Sequence, residues 1–141
     1  LKKWFNIKRE LANDCKKFNV EIVCAHNASF DNRALNTTQR YITTSKNRYF
    51  LPYGLIWWDT LKMARAILKN DSKYGEFCYQ NDYLTTKGQR RYTAEIIYRY
   101  LTQNIDFQES HTGLEDVNIE RQIFEYLIQT EKNIDGRLWQ D

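Results

Sequence analysis

The chain has 141 residues, 42% of them hydrophobic and 28% charged, with ten tyrosines, four tryptophans and a formal net charge of +3. That length fits a single domain over 1–141, large enough for a core but near the lower edge for an α/β enzyme. No stretch nears the roughly 20 apolar residues that span a bilayer. Cys15, Cys24 and Cys78 are odd in number and lack metal-ligand spacing; with no secretory segment in view, a reduced cytoplasmic protein is expected rather than a disulfide scaffold.

The charge is unevenly spread. Residues 1–60 carry ten Lys/Arg against five acids, residues 61–102 eight against four, and residues 103–141 three against nine. A basic front and an acidic tail suit a polyanionic partner better than the net charge implies.

Trp4, Ile7, Leu11, Cys15 and Phe18 recur at steps of three and four, which predicts an amphipathic helix. Val20 to Ala25 is short, apolar and partly β-branched, and reads as a buried strand, with Cys24 in the core. A second helix is expected from near Ser29 toward Tyr41, capped by Asn27 or Ser29. The polar segment from about Ile42 to Gly54, which holds the only proline, reads as a loop. Leu55 to Trp58 is the next strand, and Asp59 with Thr60 starts a helix through Leu68. Residues 69–85 show no clear period and read as a long loop. A helix from about Gln89 to Leu101 follows, and a last one runs from Gly113 to about Lys132. Strands alternating with helices imply parallel pairing. Two strands make a poor sheet, so further strands are expected upstream of Leu1, and a bare edge invites a homodimer.

Two segments concentrate the chemistry. In the first, His26-Asn27-Ala28-Ser29-Phe30-Asp31, Asp31 follows a strand after a short turn, at the strand end where open α/β sheets place their sites. Asn27 is expected to cap rather than touch substrate, Phe30 to pack in the core rather than stack on a base, and His26 to order the turn. In the second, His111-Thr112-Gly113-Leu114-Glu115-Asp116, Thr112 and Glu115 have capping-box spacing. His111 then precedes the cap and Asp116 is the fourth helical residue, two positions that meet in a hydrophobic staple. Imidazole and carboxylate are expected to converge there, with the helix dipole favouring the charged carboxylate. The plainer alternative is a surface acid beside a loop histidine.

The first segment, an apolar strand leading into His-Asn-x-x-Phe-Asp, resembles the second motif of the DEDD exonuclease superfamily. His111 and Asp116, separated by four residues and preceding an apolar helix, resemble the third motif of its DEDDh branch, which includes bacterial proofreading subunits and RNase T. Trp58-Asp59-Thr60-Leu61 with Ala64-Arg65 is similar to the segment that lies between them. The resemblance implies an RNase H-like α/β fold and 3′-to-5′ release of nucleotides from single-stranded DNA or RNA ends with two Mg²⁺ or Mn²⁺ ions. It further implies Asp31 and Asp116 as metal ligands and His111 as general base, the residue type whose unperturbed pKa lies nearest physiological pH. The family's first motif, Asp-x-Glu, is absent from the sequence, so a C-terminal portion of such a domain with little activity of its own is expected. The alternative is a non-catalytic nucleic-acid-binding or interaction module. Asn27, Phe30, Arg90 and Arg91 are the candidate substrate contacts, with Arg33, Arg40, Lys46, Arg48 and Lys87 as further cations and Tyr83 as a stacking ring. A thiol enzyme built on Cys78 and His111 lacks any feature marking Cys78 as activated.

Overall fold

A computed structural model describes residues 2–110 and 112–131. It is a mixed α/β arrangement of six helices and, among the described residues, one two-stranded parallel sheet. Helix α1 spans Trp4–Lys17, and its last turn carries Lys16 and Lys17, cations that complement the helix dipole. Val20 closes α1 with a backbone bond to the Cys15 carbonyl, so strand β1 begins only at Ile22 and runs to Ala25. Helix α2 spans Ala28–Ile42, strand β2 Ile56–Asp59 and helix α3 Thr60–Leu68. β1 pairs with β2 from Ile22 opposite Ile56 to Ala25 opposite Asp59. Burial rises along both strands, from exposed first residues to buried Ala25 and Asp59. The sheet's carboxyl end is therefore its interior end.

Helix α4, Ser72–Gln80, occupies the stretch expected to be a loop. Asp71 accepts hydrogen bonds from the Lys73 and Tyr74 amides and so caps it. Tyr74, Phe77 and Cys78 stand at i, i+3 and i+4 and share one face, with Tyr74 and Cys78 fully buried. Gly75 sits within this helix because a Cβ there would collide with the Arg90 guanidinium, 2.6 Å from its Cζ. Arg90 in turn donates from Nη1 to the Leu68 and Asp71 carbonyls at 2.8 Å each, tying the ends of α3 and α4 together.

Helix α5 begins later than expected and spans Ala94–Thr102, capped by Thr93. The residues before it form a tight hairpin instead. Leu84 bridges Arg90 in antiparallel fashion, and Gly88 takes the positive φ of +73° that the turn requires. Helix α6 spans Gly113–Thr130, close to expectation. The core is made by α3 to α6 and centres on Met63, Leu68, Tyr74, Cys78, Ile97, Ile119, Ile123 and Leu127, each 2% exposed or less. Rings extend it: Tyr74 lies 5.6 Å from Tyr92 and 5.1 Å from Tyr100.

The strand side is more open. No residue of α1 is buried; Trp4 holds the helix through a 2.6 Å bond from Nε1 to Gln39 and a 4.5 Å ring contact with Phe50. Cys24 is half-buried rather than enclosed, and Phe30 is 55% exposed and so is not a core residue. No helix among the described residues is long and apolar enough to cross a membrane.

Candidate active site

The carboxyl ends of β1 and β2 turn directly into α2 and α3, and Asp59 organises both turns. Its buried Oδ1 accepts from the Leu61 amide at 2.8 Å and the Lys62 amide at 3.4 Å, capping α3. The same oxygen accepts from the Asn27 amide at 3.1 Å, fixing the end of β1. Three donors on one oxygen give Asp59 the structural role expected of it.

His26 is likewise structural. Its Nε2 donates to the Tyr92 carbonyl at 2.7 Å, and its Nδ1 lies 3.0 Å from the Thr60 hydroxyl. With Nε2 protonated, Nδ1 accepts from Thr60 and the ring is neutral. Burial lowers its pKa, partly offset by the Tyr92 bond and the nearby Asp59 charge. Both nitrogens are used, so the ring orders the turn and is not a free ligand.

Asn27 holds the N-cap position of α2 in a left-handed conformation, φ +76°, yet its side chain makes no capping bond. A short amide side chain tolerates that conformation, which turns the backbone N–H toward Asp59. The expected side-chain cap is therefore replaced by a backbone contact, leaving the Asn27 side chain exposed at the mouth of a cavity. At the start of α6, Thr112 is the N-cap but also lacks a side-chain capping bond, its hydroxyl pairing with Ser110 instead. Glu115 reaches past it to Ser110, accepting from the amide at 2.8 Å and from the hydroxyl. Glu115 thus bonds two residues before the N-cap, whereas capping-box spacing predicts a bond to the Thr112 amide. His111 lies outside the described residues.

Asp31, in the first turn of α2, and Asp116, in the first turn of α6, share an acidic patch whose third member is Glu120. Burial raises the Glu120 pKa; the His26 amide opposes that rise, and Asp31, Asp116 and Glu109 reinforce it. Asp31 is also raised, first by burial and then by Asp59. One Asp116 oxygen, Oδ1, is buried with no hydrogen-bond partner among the described residues. Glu120 was missed from the sequence although it stands one helical turn beyond Asp116, where i and i+4 share a face.

Hard carboxylate oxygens and an orphaned Oδ1 fit Mg²⁺ or Mn²⁺ in kind. In number they fall short, since no three His, Cys, Asp or Glu side chains among the described residues converge closely enough to hold an ion.

The chain matches no protein-family model, no curated protein and no solved structure.

Of the other residues singled out, Arg91 is exposed, with Nε donating to the Leu84 carbonyl at 3.1 Å, while Arg90 serves as the strut under Gly75. Tyr83 packs on Phe77 at 5.6 Å and accepts from Arg99 at 2.9 Å, so it is a packing ring rather than an open stacking platform. Cys78 is buried and its thiol is pushed up by that burial, the opposite of an activated nucleophile.

Proposed function

We propose that this chain carries the second and third motifs of a metal-dependent 3′-to-5′ exonuclease of RNase H-like fold, acting on the 3′ ends of DNA or RNA. The observation that supports the reading is Glu120, which lies in electrostatic reach of both Asp31 and Asp116. Asp31 and Asp116, far apart in sequence, thus both bear on one carboxylate, and Asp31 follows the carboxyl end of a parallel strand pair, where α/β sheets hold their ligands.

In this reading Asp31 and Asp116 would be ligands to the divalent cations, which would supply polarisation of a phosphoryl oxygen and a more acidic water. The chain's own contribution is position. Asp59 and His26 fix the turn that presents Asp31, and the first turn of α6 presents Asp116. Glu120 sets the local charge that a cation neutralises. His111 takes the general-base role by resemblance.

A second reading is a non-catalytic nucleic-acid-binding module. It is favoured by the absence of a three-ligand metal group among the described residues and of Asp-x-Glu in the sequence.

The test is a 5′-labelled single-stranded oligonucleotide incubated with Mn²⁺, beside an Asp116→Asn variant. A slow ladder shortening from the 3′ end, dependent on Mn²⁺ and absent in the variant, is the expected result. An intact oligonucleotide that both proteins bind equally well supports the module instead.

A further inference from the structure

A cavity of about 1170 Å³ lies between α3 and the hairpin before α5. Its lining includes Arg65, Lys69, Arg90 and Arg91 and no aspartate or glutamate. None of these four cations forms an ion pair among the described residues. Arg65 stands on α3 and Lys69 one turn further, at its C-cap; both are exposed, and Arg91 lines the same cavity from the hairpin.

The walls are held in place. The Tyr74 hydroxyl donates to the Arg91 carbonyl at 2.6 Å, His26 donates to Tyr92, and Arg90 is anchored on two carbonyls. A cavity with fixed walls loses little entropy on binding.

The geometry points to this cavity as a binding site for the phosphodiester backbone of a single-stranded nucleic acid, separate from the carboxylates. Concentrated positive charge without a counter-charge calls for an anion, and guanidinium groups match phosphate oxygens in pairs. With Arg90 held on backbone carbonyls, Arg65, Lys69 and Arg91 still exceed what one phosphate neutralises, and the volume exceeds the roughly 300–1,000 Å³ typical of a small-molecule pocket. A chain of phosphates satisfies both. Thr85, Gln89 and Asn27 add neutral polar groups on the same lining. The choice of nucleic acid over other polyanions rests on the proposed function; the location of the site does not.

The experiment measures binding of a fluorescein-labelled oligothymidylate and its RNA counterpart to the full chain in EDTA, across a salt series. An Arg65→Ala/Lys69→Ala double variant is compared with a Lys16→Ala/Lys17→Ala variant, which removes two exposed cations from α1. Losing two phosphate contacts flattens the log–log salt slope by about 1.4 and weakens binding roughly fiftyfold near 50 mM salt. That loss is expected in the α3 variant, with the α1 variant close to wild type.

Equal losses in both variants, or none in either, overturn the site. So does the absence of oligonucleotide binding by the wild-type chain. Competition by inorganic phosphate or thymidine monophosphate as effective as the unlabelled oligomer, at equal phosphate concentration, overturns the strand as ligand. Circular dichroism melts confirm that the variants fold. Because EDTA removes metal, binding lost only in the α3 variant supports the site even where no ladder forms. A Mn²⁺-dependent ladder alongside unchanged α3-variant binding overturns it while leaving the nuclease reading intact.

Discussion

Two halves of this molecule are built to different standards of closure. From Thr60 onward, four helices enclose a continuous core whose largest side chains are wholly buried and whose aromatic rings pack edge to face and in stacks. Among the described residues before Thr60, only Ala25, Ala28, Gln39, Phe50 and Asp59 are buried, and Phe5 on α1 and Phe18 at its end are 68% and 66% exposed. The helical half supplies rigidity, and the strand half supplies the turns that present Asn27 and Asp31. The acidic patch lies on the seam, one carboxylate from α2 and two from α6. A site on such a seam takes its precision from the closed side and its accessibility from the open one.

The comparison breaks most clearly at Tyr74. Replacing it with alanine removes a buried ring and the bond to the Arg91 carbonyl, and should cost about 3–5 kcal/mol in a denaturant titration. Gly75→Ala attacks the same half by overfilling. The new methyl meets the Arg90 guanidinium, so the gain in helix propensity is outweighed by a packing cost of about 1–3 kcal/mol and a lower melting temperature.

At the seam, Glu120→Gln should stabilise the metal-free protein. Burial holds the Glu120 pKa above its usual 4.5, so the native state binds that proton more tightly than the unfolded chain does. Its contribution to stability is therefore full below pH 4.5 and is lost as pH rises through the native value. The variant's advantage should appear above that value in EDTA, vanish in acid and shrink on adding Mn²⁺. His26, whose pKa is lowered, acts in the opposite sense, weakening both proteins alike as pH falls below 6.5. Comparing wild type with variant at each pH isolates Glu120. The smallest effect belongs to the open half: Phe18→Ala should stay within about 0.5 kcal/mol of wild type, since an exposed ring loses little contact.

The sequence was legible where one signal dominated. The three- and four-residue spacing of Trp4, Ile7, Leu11 and Cys15 located α1, and Asp59-Thr60 gave the start of α3 with its cap. The parallel pairing of two strands followed from their alternation with helices. Helix α4 was obscured because Gly75 and polar residues interrupt its pattern, yet Asp71 before Tyr74, Phe77 and Cys78 carried both a cap and an apolar face. The start of α5 was set too early because Arg90 and Arg91 extend a helix-like run, whereas Thr93 caps the helix and Gly88 turns the hairpin. Asp31 and Asp116 were singled out through motif resemblance, and both lie in electrostatic reach of Glu120. Glu120 and the cations Arg65 and Lys69 were not legible, because their significance is spatial: each matters for what lies opposite it across the fold.

The register of the strand pair also bears on the order of events during folding. Ile22 must find Ile56 across the whole of α2 and the loop that follows it, and α3 must find α6 across α4 and α5. Both closures cost chain entropy before any contact rewards them, but the helical one is rewarded by a buried core, whereas the strand pair is short and exposed at its open end. The helical half should therefore assemble first and serve as the template on which the strands zip from their buried carboxyl ends outward. In pulse-labelled hydrogen exchange, the amide of Ile97 should gain protection before that of Ile56, making the acidic patch one of the last features of the native state to form.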